Sequence, residues 1–172
     1  MKKILYVVLM LLIVGCAARE HSVMLDTPNP VKDSNIVVVD GRLDKNLYMT
    51  GISYTNQSHI YILSPNPPIE VALKQAIQAN EKLLNKSGFI KAEVNIEGID
   101  IKDKVGFAKA DELYCTIVSK LKVTKANGQI KEYTVKTFSV NKENMSARVG
   151  PTGKLILDQS LQEHGSDLIK KL

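Results

Sequence analysis

The chain has no tryptophan, three phenylalanines and two cysteines in 172 residues. Two cysteines cannot build a disulfide framework, so the core has to come from packed aliphatic side chains. Few aromatics leave no stacking platform for a sugar. The shared strand face of Glu93 and Glu97 therefore reads as solvated surface and not as a glycosidase carboxylate pair. No G-x-x-x-x-G-K-[ST] or G-x-G-x-x-G motif supports nucleotide binding, and no G-x-S-x-G elbow supports a serine hydrolase. The histidines His21, His59 and His164 have no H-x-x-x-H or C-x-x-C company, so neither a metal nor any other cofactor is expected. Ten glycines and six prolines are too few for a collagen-like or low-complexity chain, and 44% hydrophobic residues exclude a wholly disordered one.

An excess of one charge is also largely missing. The formal +5 includes Lys2 and Lys3, which precede an acid-free apolar run. Beyond residue 15, 21 basic residues face 18 acidic ones. That run, Ile4 to Val14, is eleven residues long, where a membrane-spanning helix takes about 20. With its positive start it reads as a secretory leader. It ends in Ile13-Val14-Gly15-Cys16, which resembles the bacterial lipobox. The resemblance implies cleavage between Gly15 and Cys16 and a lipid on the Cys16 thiol. Ala17 follows where an aspartate would signal inner-membrane retention, which implies the periplasmic leaflet of the outer membrane.

Residues 16–35 read as the lipidated cysteine and a flexible linker, because Pro28, Pro30 and the polar residues around them leave little to bury. A single domain then spans 36–172. Ile36 to Val39 is a β-branched run that predicts a buried strand, and Leu47 to Leu63 alternates as one or two more. Ser64-Pro65-Asn66-Pro67-Pro68 is a breaker. Ile69, Ala72, Leu73, Ala76, Ile77, Leu83 and Leu84 share one stripe and predict a helix from about Pro68 to Ser87, with Gly88 as its cap. The period changes to two from Ile90 to Ile96. Leu113, Cys115, Ile117, Leu121 and Val123 then share one register of a long strand, which places Cys115 in the core as a small hydrophobe. Asn127-Gly128 predicts a type I′ hairpin. Leu157, Leu161, Leu168 and Leu172 predict a last helix from about Lys154. The expected fold is α+β, an antiparallel sheet of five to six strands with two helices on one face.

Val39-Asp40-Gly41-Arg42, Lys86-Ser87-Gly88-Phe89, Val94-Asn95-Ile96 and Asn127-Gly128 occur in an order that resembles the YajG-type outer-membrane lipoproteins. Their relatives include auxiliary lipoproteins of ABC-type transport systems. The resemblance covers residues 36 to 172 and implies a periplasm-facing domain with no catalytic set. The function expected from these readings is that of a non-enzymatic binding or assembly component of the bacterial envelope. Its partners would be the bilayer, through acylated Cys16, and another envelope protein, with no nucleic acid. The alternatives are an auxiliary subunit of an ABC-type transport or secretion machine and, less favoured, a periplasmic hydrolase. One surface stands out as a candidate for anionic partners: Lys120, Lys122, Lys131 and Lys136 on the hairpin and Arg148 beyond it. The competing reading is a solvated face whose lysines discourage edge pairing.

Overall fold

A computed structural model describes residues 19–26, 35–52, 58–80, 88–104, 112–142 and 149–172. The expected leader 1–15, Cys16, Pro28 and Pro30, Leu83 and Leu84 of the expected first helix, and Arg148 lie outside these residues.

One sheet holds β1 (Arg19–Met24), β2 (Ile36–Asp40), β3 (Leu47–Ile52), β4 (Ser58–Asn66), β5 (Phe89–Lys104), β6 (Glu112–Lys125) and β7 (Ile130–Asn141). Helix α1 (Ile69–Gln78) joins β4 to β5, and α2 (Val149–Ile169) follows β7. The strand order is β1-β4-β3-β5-β6-β7, with β2 also on β5. The fold is α+β as expected, but the sheet has seven strands and is mixed. Pairs β3–β4, β5–β6 and β6–β7 are antiparallel, while β1–β4, β2–β5 and β3–β5 are parallel. Helix α1 is the reason for two of the parallel pairs, because only a crossover can bring β5 alongside β2 and β3 in the same direction.

The seventh strand is β1, inside the segment expected to be linker. Arg19 to Ser22 reads as polar, yet Val23 and Leu25 lie in the core at 1% and 6% exposure. Strand β4 likewise runs through the expected breaker, to Asn66 before a cis Pro67. Its pairing with β3 begins at Leu47↔Leu63, so Pro65 stands where only β1 flanks the strand. That edge-like position tolerates a residue without an N–H.

Both helices cover one face. Ile96, Ile117 and Leu121 of the sheet meet Leu73, Ile77, Ile156 and Leu157 of the helices in a single core. Cys115 is fully buried among them, as its register predicted, and burial pushes its thiol up to about 11. The sheet is strongly twisted. Asp26, just beyond β1, donates its N–H to Asp158 Oδ1 at 3.0 Å. Asn141 of β7 donates to Gln159 Oε1, also at 3.0 Å. Five strand spacings would separate those edges by about 24 Å in a flat sheet, so only twist and coiling bring both to adjacent residues of α2.

The hairpin after β6 differs from the expected type I′ turn. Gly128 donates to Lys125 O at 2.9 Å with φ 79°, and Lys125 N–H reaches Gln129 O at 2.9 Å. That is a three-residue loop closed by a glycine bulge. Gly165 lies in the interior of α2, where glycine ordinarily weakens a helix, but here it serves packing. A Cβ there would lie 3.2 Å from the Ala76 carbonyl carbon and 3.3 Å from Ile77 N, so the missing side chain lets α1 and α2 touch. Gly165→Leu is expected to destabilise by about 1–3 kcal/mol through overpacking, read as a lowered thermal midpoint. Gly165→Ala should stay within about 1 kcal/mol, because the gain in helix propensity offsets the tight contact.

Candidate functional site

The helices leave the other face of the sheet uncovered. Cross-strand pairing places Lys120 opposite Thr134, Lys122 opposite Glu132 and Lys136 opposite Val118, so all three lysines stand on this open face. Lys131 does not join them. It pairs with the buried Val123 and so belongs to the helix-covered face, at the hairpin end. Arg148 lies outside the described residues. Nor is the open face uniformly basic. Lys120 is ion-paired with Glu97 at 2.6 Å, Lys91 with Glu93 at 2.6 Å and Lys102 with Asp100 at 2.6 Å. Each pair is solvent-exposed and contributes little to stability. Together they give the face alternating sign. Glu93, Lys120, Lys122, Glu132 and Thr134 line an open groove of about 360 Å³ on it.

Toward the paired Thr50 and Ile60 the same face becomes apolar and aromatic. Phe138 is 59% exposed, Ile60 54% and Tyr48 40%. Tyr114 stacks on Phe138 with ring centroids 5.6 Å apart and an interplanar angle of 25°. Exposed aromatic side chains are enriched at protein interfaces, which carry their charged groups at the rim.

On the covered face a polar seam joins the sheet to α2. Ser119 Oγ lies 2.8 Å from His164 Nε2, and Thr137 Oγ1 lies 2.8 Å from His164 Nδ1. The Thr137 hydroxyl donates to Asp167 Oδ2 at 2.8 Å. Its single proton is thereby committed, so it accepts from Nδ1–H, and Nε2 accepts from Ser119. Three donations run in one direction, from Ser119 through His164 and Thr137 to the carboxylate. Burial pushes the His164 imidazole down to about 4, against a smaller upward pull from Asp167. Lys170, bonded to Asp167 at 2.8 Å, holds that carboxyl below its ordinary range. The order resembles a hydrolytic relay, but Ser119 and His164 are both 0% exposed, which leaves no space for a substrate at the hydroxyl. The seam is structural. The sequence marked it: Ser119 interrupts the register of Ile117 and Leu121, and His164 sits on the stripe of Leu157, Leu161 and Leu168.

The Asp40-Gly41-Arg42 motif forms a clamp. Strands β2 and β3 lie end to end along the same edge of β5, pairing with Ala92–Ile96 and Ile101–Lys102 respectively. The loop between them is pinned by Arg42, which is 8% exposed. Its Nε and Nη2 reach Asp40 Oδ1 and Oδ2 at 2.9 and 2.8 Å, and its remaining bonds go to the carbonyls of Asn46 and Lys45 at 3.2 and 3.0 Å. Burial pushes the Asp40 carboxyl up, but the Arg42 guanidinium and N–H more than offset it and hold it below its ordinary value. A cleft of about 610 Å³ adjoins the clamp, between this loop and Ser64–Glu70. Arg42 lines that cleft, with its Nε, Nη1 and Nη2 bonded to Asp40 and to the carbonyls of Lys45 and Asn46.

Among the described residues no cluster of three metal-ligating side chains occurs, and no helix is long and apolar enough to cross a membrane. No family model and no curated protein sequence matches the chain. Among solved structures it is similar to a DUF330 protein from Xanthomonas campestris, at 11% identity and TM-score 0.48 over 87% of this chain and 92% of that one. Rare lipoprotein B from Shewanella oneidensis aligns at 7% identity and TM-score 0.37, over 58% and 83% of the two chains. A minor lipoprotein from Acinetobacter baumannii aligns at 7% and 0.31, over 58% and 82%. None of these likenesses assigns the chain to a family.

Proposed function

We propose that this chain is a bacterial envelope lipoprotein, anchored to the outer membrane by acylated Cys16, which acts as a non-enzymatic binding component through the uncovered face of its sheet. The observation that carries the binding role is the one-sidedness of the sheet. Both helices pack on one face, and the other presents Tyr48, Ile60 and Phe138 beside ion pairs of both signs. A surface of alternating charge with exposed aromatics suits a protein partner of mixed charge better than a uniformly anionic headgroup layer. The anchor rests on Ile13-Val14-Gly15-Cys16 after an eleven-residue apolar run. One acyl chain binds membranes only marginally, whereas two or three hold stably, at about 0.8 kcal/mol per buried methylene.

Cys16→Ser tests the anchor. Expressed in a bacterial host, the variant is expected to lose lipid labelling and to leave the membrane fraction almost completely, while the unmodified chain stays membrane-bound and labels. A serine variant that still partitions as an integral membrane protein overturns the lipidation reading.

A further inference from the structure

We propose that the outer edge of β7 is a homodimerisation site, at which two copies pair antiparallel about Thr134 to continue one sheet across both molecules. The reading is independent of the lipid anchor. Strand β7 ends the strand order and pairs only with β6 among the described strands. The β6–β7 ladder is unbroken from Thr124↔Ile130 to Leu113↔Asn141. Because Lys125 and Gln129 bond to each other across the turn, alternation directs the odd-numbered amides of β7 toward β6. The N–H and C=O groups of 130, 132, 134, 136 and 138 then face outward. The side chains of the same residues stand on the open face.

Lysines on an edge ordinarily block pairing with arbitrary strands. Here the sequence of the strand is complementary to itself. Antiparallel pairing centred on Thr134 sets Glu132 opposite the partner's Lys136 and Ile130 opposite the partner's Phe138, each contact occurring twice. Ile130 and Phe138 are 55% and 59% exposed in the single chain. On the covered face the same register sets Tyr133 against the partner's Val135. Moving the axis by two residues places Glu132 against Glu132 or Lys136 against Lys136. Directly opposed like charges disfavour both of these registers. Moving the axis by one residue sets Glu132 against the partner's Thr134 or the partner's Phe138 and loses both charge pairs, so only the register centred on Thr134 pairs Glu132 with Lys136. A second copy is the occupant that fits, because it alone carries the complementary order of acid, base and apolar residues by construction.

The test uses the full-length chain purified in detergent with Thr134→Cys. Cys115 is fully buried, and Cys16 is either acylated or, in a Cys16→Ser background, absent. Residue 134 therefore offers the accessible thiol. Opposed residues of a hydrogen-bonded antiparallel pair lie about 5.5 Å apart at Cα, within disulfide range. Mild oxidation is expected to give mostly a disulfide-linked dimer. Adding Glu132→Lys should weaken dimerisation about tenfold, and adding Lys136→Glu to that variant should restore it. A Thr134→Cys chain that stays monomeric, or that cross-links chiefly to another protein, overturns the proposal. So does a single reversal without effect, or a double reversal without rescue.

Discussion

Arg42→Met is expected to destabilise the domain by about 3–5 kcal/mol, the cost of leaving one partner of a buried ion pair alone. Methionine keeps an unbranched stem in the same space, so lost packing contributes little. Three acceptors lose their donor. The Asp40 side chain, 10% exposed, keeps only the backbone N–H of residue 42 at 3.1 Å and Lys45 at 3.5 Å, and the carbonyls of Lys45 and Asn46 lose Nη2 and Nη1. The loop they belong to separates β2 from β3 along one edge of β5, so the damage reaches both strand pairings. Lys45 is itself 58% exposed, and its attraction is screened by water, which leaves the cost near the lower end of the range. Urea unfolding of the full chain at pH 7 reads the effect as a shifted midpoint with unchanged slope. The double variant Asp40→Asn/Arg42→Met should recover part of the loss, because an amide in place of the carboxylate buries no charge. A loss below about 1 kcal/mol in Arg42→Met would mean that the guanidinium does not hold the loop.

That clamp shows where the sequence was legible and where it was not. Val39-Asp40-Gly41-Arg42 stood out only as one of the motifs that carry the resemblance, and its work depends on β5, more than fifty residues downstream, along whose edge the loop lies. Local periodicity carried further. The alternation of Leu113, Cys115, Ile117, Leu121 and Val123 assigned one face of β6 and predicted the burial of Cys115. The same alternation contained the polar seam, since Ser119 occupies the apolar register. Its partners Thr137, His164 and Asp167 lie on two other elements, so hydrophobicity alone could not assemble them. Strand β1 was hidden for a different reason: only Val23 and Leu25 point inward, and their burial is created by β4 and α2. The parallel pairs were equally out of reach, because strand direction is set by the α1 crossover and not by the residues that pair. Lys131 lies across the sheet from Lys120, Lys122 and Lys136 because the three-residue turn fixes the register of β7, and counting from a two-residue turn misplaces it.

Acidification from pH 6.5 to pH 4 is expected to remove about 3 kcal/mol of stability through His164. Burial among Ser119, Thr137 and the α2 core lowers the imidazole to about 4 from its ordinary 6.5, and each unit of difference is worth about 1.4 kcal/mol. The unfolded chain therefore binds a proton that the folded chain refuses throughout that window, and stability falls as pH falls. Above pH 6.5 neither state is protonated and the contribution is complete; below pH 4 both are, and no more is lost at this residue. The hydrogen-bond order explains the refusal. Nδ1–H is already given to Thr137, so a second proton must go to Nε2, where Ser119 donates. Protonation there sets two donors against each other in a site without water access. The carboxylates act in a different range. Asp40 and Asp167 are held below their ordinary values, so their contributions persist to below about pH 4 and are lost only there. Lys170 lies on the solvent side of Asp167. Urea midpoints at pH 7.0, 5.5 and 4.5 should fall by an amount equivalent to about one proton. His164→Gln should be less stable at pH 7 yet nearly flat over the same interval, because an amide bridges Ser119 and Thr137 without titrating. A wild-type profile as flat as that of His164→Gln would place the uptake elsewhere and remove the buried imidazole from the acid response of the fold.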